Sequence, residues 1–225
     1  MRQLMIRTGE MLRDRRFLRK ALMIACPAAL QGMLNTVVNM VDTLMIGGLG
    51  SSAIAAVGLA NKYFFVFSLL VFGIVSGAGI LAAQYWGNGD VKSIRKVLGL
   101  SILLAAAGAL VFVLPGLIWP HQVMRIFTTS ESSIELGIKY LRIAVLTYPF
   151  IAMTNVYVAM LRAVNKVVYP VVCSCIAIAI NVVLNYVLIF GKFGAPQMGV
   201  AGAACATLIA RCIEVSLVLL YVYGK

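Results

Sequence analysis

The sequence predicts an all-α membrane protein, a bundle of six transmembrane helices, and three observations lead there. The chain is 62% hydrophobic and only 12% charged, whereas soluble chains average roughly 45–50% apolar and about 25% charged; too few polar side chains remain to cover a water-facing fold. The apolar residues fall into six long stretches. Each is close to or above the ~20 residues that a helix rising 1.5 Å per residue needs to cross ~30 Å of hydrocarbon. The basic residues gather beyond the ends of those stretches, mostly on one side.

In chain order, residues 1–20 form a basic segment and residues 21–225 a six-helix transmembrane lobe, with spans expected near 21–46, 53–85, 97–119, 134–161, 167–190 and 199–223. Met23-Ile24-Ala25-Cys26 has the look of a lipoprotein cleavage box, but the apolar run before Cys26 is short and Pro27 leads into further apolar sequence, so the first helix is expected to be kept. Gly47-Gly48-Leu49-Gly50-Ser51-Ser52 turns the chain into the second span, and Gly87-Asn88-Gly89-Asp90 ends it. That second string lacks a glycine directly before Lys92-Ser93 and is not a phosphate-binding loop. After the third span, Ser132-Ser133-Ile134-Glu135 has the form of a capping box and marks the expected start of the fourth helix. A loop over 191–197, with Gly194 and Pro196, separates the fifth span from the sixth. The sixth is interrupted only by Arg211 and Glu214, which stand three apart and are read as a local, neutral pair without a functional role. Small residues within the spans, Gly73, Gly77 and Gly79 in the second and Gly199, Gly202, Ala203 and Ala206 in the sixth, are read as packing positions.

The net charge of +12 is a topology signal and not a nucleic-acid footprint. Arg2, Arg7, Arg13, Arg15, Arg16, Arg19, Lys20, Lys92, Arg95, Lys96, Arg162, Lys166 and Lys225 all fall on one side of the six spans. Arg125, Lys139, Arg142 and Lys192 fall on the other, and Lys62 and Arg211 lie within spans. Basic short loops stay in the cytoplasm, so both termini are expected there, in a multi-pass protein of the bacterial inner (plasma) membrane. Enzyme signatures are missing: the single His121 has no carboxylate cluster around it to make a metal site. The five cysteines, Cys26, Cys173, Cys175, Cys205 and Cys212, all lie within spans and read as small packing residues.

Chemistry is concentrated in polar residues inside the spans. Gln31, Asn35, Asn39 and Asp42 are spaced by four, four and three, which puts them on one face of the first helix. A carboxylate there costs ~2.5–3.5 kcal/mol on insertion scales and normally faces a bundle interior or water. Asp42 lies about 33 Å along the helix from Lys20, toward the outer side, where it can take up and release a proton. A polar cap, or a static pair with Lys62, is the alternative reading. The fifth helix carries Ser174, Asn181 and Asn185, the fourth Thr147, Thr154, Asn155 and Tyr157, and the sixth Thr207. Two stripes at matching depth predict a hydrated cavity, with Gln31, Asn35, Asn39 and Asn155 along a substrate pathway.

These residues sit in strings that resemble the multidrug and toxic compound extrusion (MATE) family: Asn35-Thr36-Val37-Val38-Asn39-Met40-Val41-Asp42-Thr43 followed by Gly47-Gly48-Leu49-Gly50, Ala83-Gln84-Tyr85-Trp86-Gly87, Tyr140-Leu141-Arg142-Ile143, Arg162-Ala163-Val164-Asn165-Lys166, Asn181-Val182-Val183-Leu184-Asn185, and the run from Gly199 to Thr207. The resemblance covers essentially the whole chain. It implies one lobe, the N-terminal one, of a twelve-helix antiporter that expels cationic amphipathic drugs or toxins in exchange for protons or sodium, with no other cofactor. It further implies an ion-coupling role for Asp42, Asn181, Asn185 and Thr207. Asn185 stands where several members have a second carboxylate, which puts sodium binding in question. The half-length chain implies a second six-helix lobe or a homodimer partner, parallel repeats being a known way to build a carrier. A flippase for lipid-linked sugars, and an inactive truncated membrane subunit, are the competing readings.

Overall fold

A computed structural model describes residues 15–224; within the first helix several side chains, those of Lys20, Gln31, Asn35 and Asn39 among them, lie outside the described residues. The elements are α1 Arg15–Gly47, α2 Ser51–Gly87, α3 Val91–Ile118, the short α4 Pro120–Arg125, α5 Glu131–Ala144, a 3-10 turn Val145–Thr147, α6 Tyr148–Ala163, α7 Val168–Phe190 and α8 Val200–Tyr223. Among the described residues five helical segments are long and apolar enough to cross a membrane: Ser51–Gly87, Val91–Ile118, Glu131–Ala163, Val168–Phe190 and Val200–Tyr223. The 33-residue α1 makes the sixth long helix. Outward faces carry large exposed apolar side chains such as Leu69, Phe72, Leu103 and Val111, a surface suited to lipid.

Two packing groups meet around the interior. In one, α2, α3 and the α5–α6 segment close on an aromatic core: Phe67 stacks on Tyr148 with ring centroids 4.5 Å apart, and Phe112 meets Phe67 edge-on at 5.6 Å. The Tyr63 hydroxyl donates to the Phe112 carbonyl at 2.8 Å, so its polar end is not left unsatisfied among apolar rings. In the other, α7 and α8 form a tight antiparallel pair against which α1 lies. Gly202 makes that pair possible: a Cβ there would come within 2.6 Å of the Leu188 carbonyl oxygen. The last turn of α8 is tied down twice. Tyr221 stacks on Tyr169 of α7 at 3.7 Å, and Tyr223 shares a 2.9 Å hydroxyl–hydroxyl bond with Tyr157 of α6.

Three details differ from a plain reading of the spans. The span expected at 134–161 lies within one helical segment, Glu131–Ala163, whose winding tightens to a 3-10 turn at Val145–Thr147. Pro149 follows closely and has no N–H with which to close an i→i−4 bond to the Val145 carbonyl, which takes the N–H of Tyr148 instead, a 3-10 closure. The capping box also lies two residues too far along. Thr128 Oγ1 accepts from the Ser130 N–H at 3.2 Å, Ser130 becomes the N-cap, and α5 begins at Glu131, placing Ser132 and Glu135 inside the helix. Finally, a Cβ added at Gly73, Gly77 or Gly79 would meet nothing within 4 Å among the described residues, whereas one at Gly202 would run into the backbone of α7.

Caps fix the connections on either side of these helices. The Asp90 carboxylate accepts from the Ser93 N–H at 3.0 Å and the Ser93 hydroxyl at 2.6 Å, starting α3. Those bonds hold its carboxyl below the usual carboxylate range. Gly191, at φ 66°, ends α7 in the left-handed conformation that glycine tolerates.

Candidate functional site

α1 brings Asp42 against α7, and α7 presents Asn181 and Asn185 one turn apart on the face toward it. The result is a ladder of side-chain hydrogen bonds. Asn185 Nδ2 donates to Asp42 Oδ1 at 2.5 Å and to Asn181 Oδ1 at 3.2 Å, and Asn181 Nδ2 donates to Thr207 Oγ1 at 3.3 Å. The Thr207 hydroxyl then donates to the Ala203 carbonyl at 3.0 Å, one turn back on α8. Both amide hydrogens of Asn185 are therefore used, and its Oδ1 is buried without a partner among the described residues. Asn181 and Asn185 are 6% and 1% exposed; polar groups held that deep in a bundle are satisfied by each other or by what enters the cavity.

The ladder opens on two adjoining cavities of about 300 Å³ and about 270 Å³ that share Asp42, Phe64, Ile151, Thr207 and Arg211 in their walls. Tyr140, Thr147 and Tyr148 line the first; Asn155 and Asn181 line the second. The 3-10 turn thus sits on the cavity, with Ala144, Thr147 and Tyr148 contributing to the wall. Among the described residues the result is an interior with one acidic group, one guanidinium, several amides and hydroxyls, and aromatic sides. Such a lining can hold a cation, by charge at Asp42 and by aromatic faces around it.

Of the residues singled out from sequence, Asp42, Asn181, Asn185, Thr207 and Asn155 come together here. Gln31, Asn35 and Asn39 lie outside the described residues. Among the described residues no ion pair joins Asp42 to Lys62, which is exposed. Arg211 was missed. Its pair with Glu214, at 2.6 Å, is as expected, but the guanidinium also forms part of both cavity walls and its charge bears on the Asp42 carboxylate. The signal available in sequence was the four-residue step from Thr207, which puts both on one face of α8.

Comparison with known proteins gives a consistent result. The MatE family model matches residues 27–187. "Probable multidrug resistance protein NorM" of Thermotoga maritima is 32% identical over 204 residues, which are 90% of this chain and 43% of that protein. "Probable multidrug resistance protein YoeA" of Bacillus subtilis is 29% identical, covering 87% of this chain and 42% of that protein. The chain thus spans less than half the length of these curated relatives. Among solved structures, an outward-facing multidrug resistance MATE family transporter of the MOP superfamily superposes with a TM-score of 0.82 at 22% identity, over 91% of this chain and 44% of that one. A MOP superfamily transporter from Pyrococcus furiosus gives the same TM-score, identity and coverage. These two likenesses are of fold.

Proposed function

The chain belongs to the MatE family and is a multi-pass membrane protein, and from that premise we propose that it forms one lobe of an antiporter exporting cationic, amphipathic small molecules in exchange for protons or sodium taken up at Asp42. The observation that carries this reading is the buried ladder from Asp42 through Asn185 and Asn181 to Thr207, opening on a cavity with aromatic walls. In an exchanger, ion and cargo must compete for, or alternate on, one set of groups. A single carboxylate wired by hydrogen bonds to two helices offers such a set: a change of charge at Asp42 changes what Asn185 donates to, and so the fit of α1 on α7. Transport then needs a second six-helix lobe, either of another chain or of a second copy inserted in parallel, to form the rest of the path.

The lipid-linked-sugar reading is less well supported. It needs several cationic side chains along the cavity to hold a pyrophosphate, and among the described residues Arg211 alone supplies one, already bound to Glu214.

The test is Asp42→Asn in everted vesicles, with proton- or sodium-driven dye export as the readout and the chain supplied with the lobe that makes it active. Export is expected to be lost while membrane insertion is retained, because removing a charge eases insertion. The double variant Asp42→Asn with Lys62→Gln is expected to stay inactive. Wild-type export in either variant would reject the coupling role of Asp42.

A further inference from the structure

We propose that Arg211 is a tethered cation that makes the Asp42 ladder reject sodium, leaving the proton as the ion this lobe can take up. The inference rests on reading Asp42 as the coupling carboxylate. It begins from the oxygens that the ladder leaves available. Asp42 has a carboxylate, Thr207 a hydroxyl, and Asn185 a buried side-chain carbonyl that has no partner among the described residues. Hard metal cations are held by several such oxygens, carboxylate and amide carbonyl among them. On oxygen count alone the ladder would suit a small metal ion.

Arg211 stands one turn of α8 beyond Thr207, on the wall that the two cavities share with Asp42. A guanidinium cannot lose its charge in a protein. Glu214 does not cancel that charge where it matters, because the pair is oriented. The Glu214 side chain is 3% exposed and that of Arg211 35%, so the carboxylate is the inner pole and the guanidinium the one nearer the cavity. Ser174 fixes the arrangement from α7, its hydroxyl donating to Glu214 Oε1 at 2.7 Å, while Arg211 Nη1 donates to Oε2 at 2.6 Å. The nearer pole dominates, because Coulomb energy falls with distance. Among the described residues the charged groups of the cavity walls are then Asp42 and Arg211, with Glu214 behind.

A sodium ion at the ladder must gather several oxygens while standing in the field of that guanidinium. A proton needs one oxygen of Asp42 and no coordination shell. A bulky organic cation spreads its charge and lies against Phe64, Tyr140 and Tyr148, so it is opposed least. Sodium discrimination therefore comes from α8, and the amide at position 185 is only part of it.

The experiment uses the full chain in lipid nanodiscs and reads its thermal unfolding midpoint in sodium chloride against choline chloride at equal ionic strength; an ion that binds only the folded state raises the midpoint. For the wild type the two midpoints should coincide. In Arg211→Gln with Glu214→Gln, which keeps the pair's net charge at zero, sodium should raise the midpoint, with an apparent affinity about tenfold or more above that of the wild type. Adding Asp42→Asn should abolish the shift. If the double variant folds poorly, Arg211→Gln alone carries the same expectation. A sodium-specific shift in the wild type equal to that of the variants, or none in a folded Arg211 variant, overturns the proposal. Its fate is separable from that of the transport reading, which fails if Asp42→Asn vesicles still export dye whatever sodium does here.

Discussion

Asn185 is the residue on which the ladder depends, since it alone donates to both Asp42 and Asn181. Truncation to Asn185→Ala removes both donors and leaves a carboxylate and a carbonyl oxygen with lost partners, at a cost of about 1–3 kcal/mol for each group left buried and unsatisfied. A lower unfolding midpoint in lipid is the expected result; an unchanged one would mean that water replaces the amide freely. Much of this network was legible in the sequence. The four-residue step from Asn181 to Asn185, and the placing of Asp42 at matching depth on another span, are consequences of helical geometry and need no tertiary information. Arg211 was not legible, for a physical reason. Its partner three residues on makes it neutral on paper, and only the packing of α7 and α8 decides that Glu214 is sealed in while the guanidinium reaches the cavity wall.

Among the helices, two glycines of similar appearance should answer very differently to a methyl group. At Gly202 a Cβ runs into the backbone of Leu188, which cannot move without shifting α7. Gly202→Ala is therefore expected to cost about 1–3 kcal/mol as overpacking. At Gly137 the obstacle is the flexible end of the Met124 side chain, which can turn away, so Gly137→Ala should lower the unfolding midpoint clearly less. Equal losses would contradict this account. The Asp90 cap of α3 predicts a pH effect of definite sign. Its folded carboxyl is held below the ordinary value of 3.8 by Ser93, so its stabilising contribution is present above that value and fades as pH falls through the depressed folded one. Wild type and Asp90→Ala should thus differ most near neutrality and converge in strong acid. The 3-10 turn before α6 shows what sequence reading passes over: Pro149 lies inside an apolar run that is a single span, and only its missing N–H, followed to the Val145 carbonyl, marks the tightened turn.

Across the whole molecule, thirteen basic residues gathered on the side shared by both ends predict that this side faces the cytoplasm. On a cysteine-free background, Glu10→Cys and Asn88→Cys should resist a membrane-impermeant thiol reagent added from outside and react once the membrane is opened. Labelling of either in intact cells would invert the topology. The paired tyrosine contacts at the end of α8 bear on the mechanics of the same bundle. A helix whose final turn is free unzips from its end under load, one turn at a time. Here Tyr221 and Tyr223 hold that turn to α7 and α6 together, so a force applied at Gly224 is shared among three helices from the first piconewton. Pulled from that end, the bundle should resist and then release α8 in one abrupt step, and Tyr221→Ala with Tyr223→Ala should turn the step into a gradual peel.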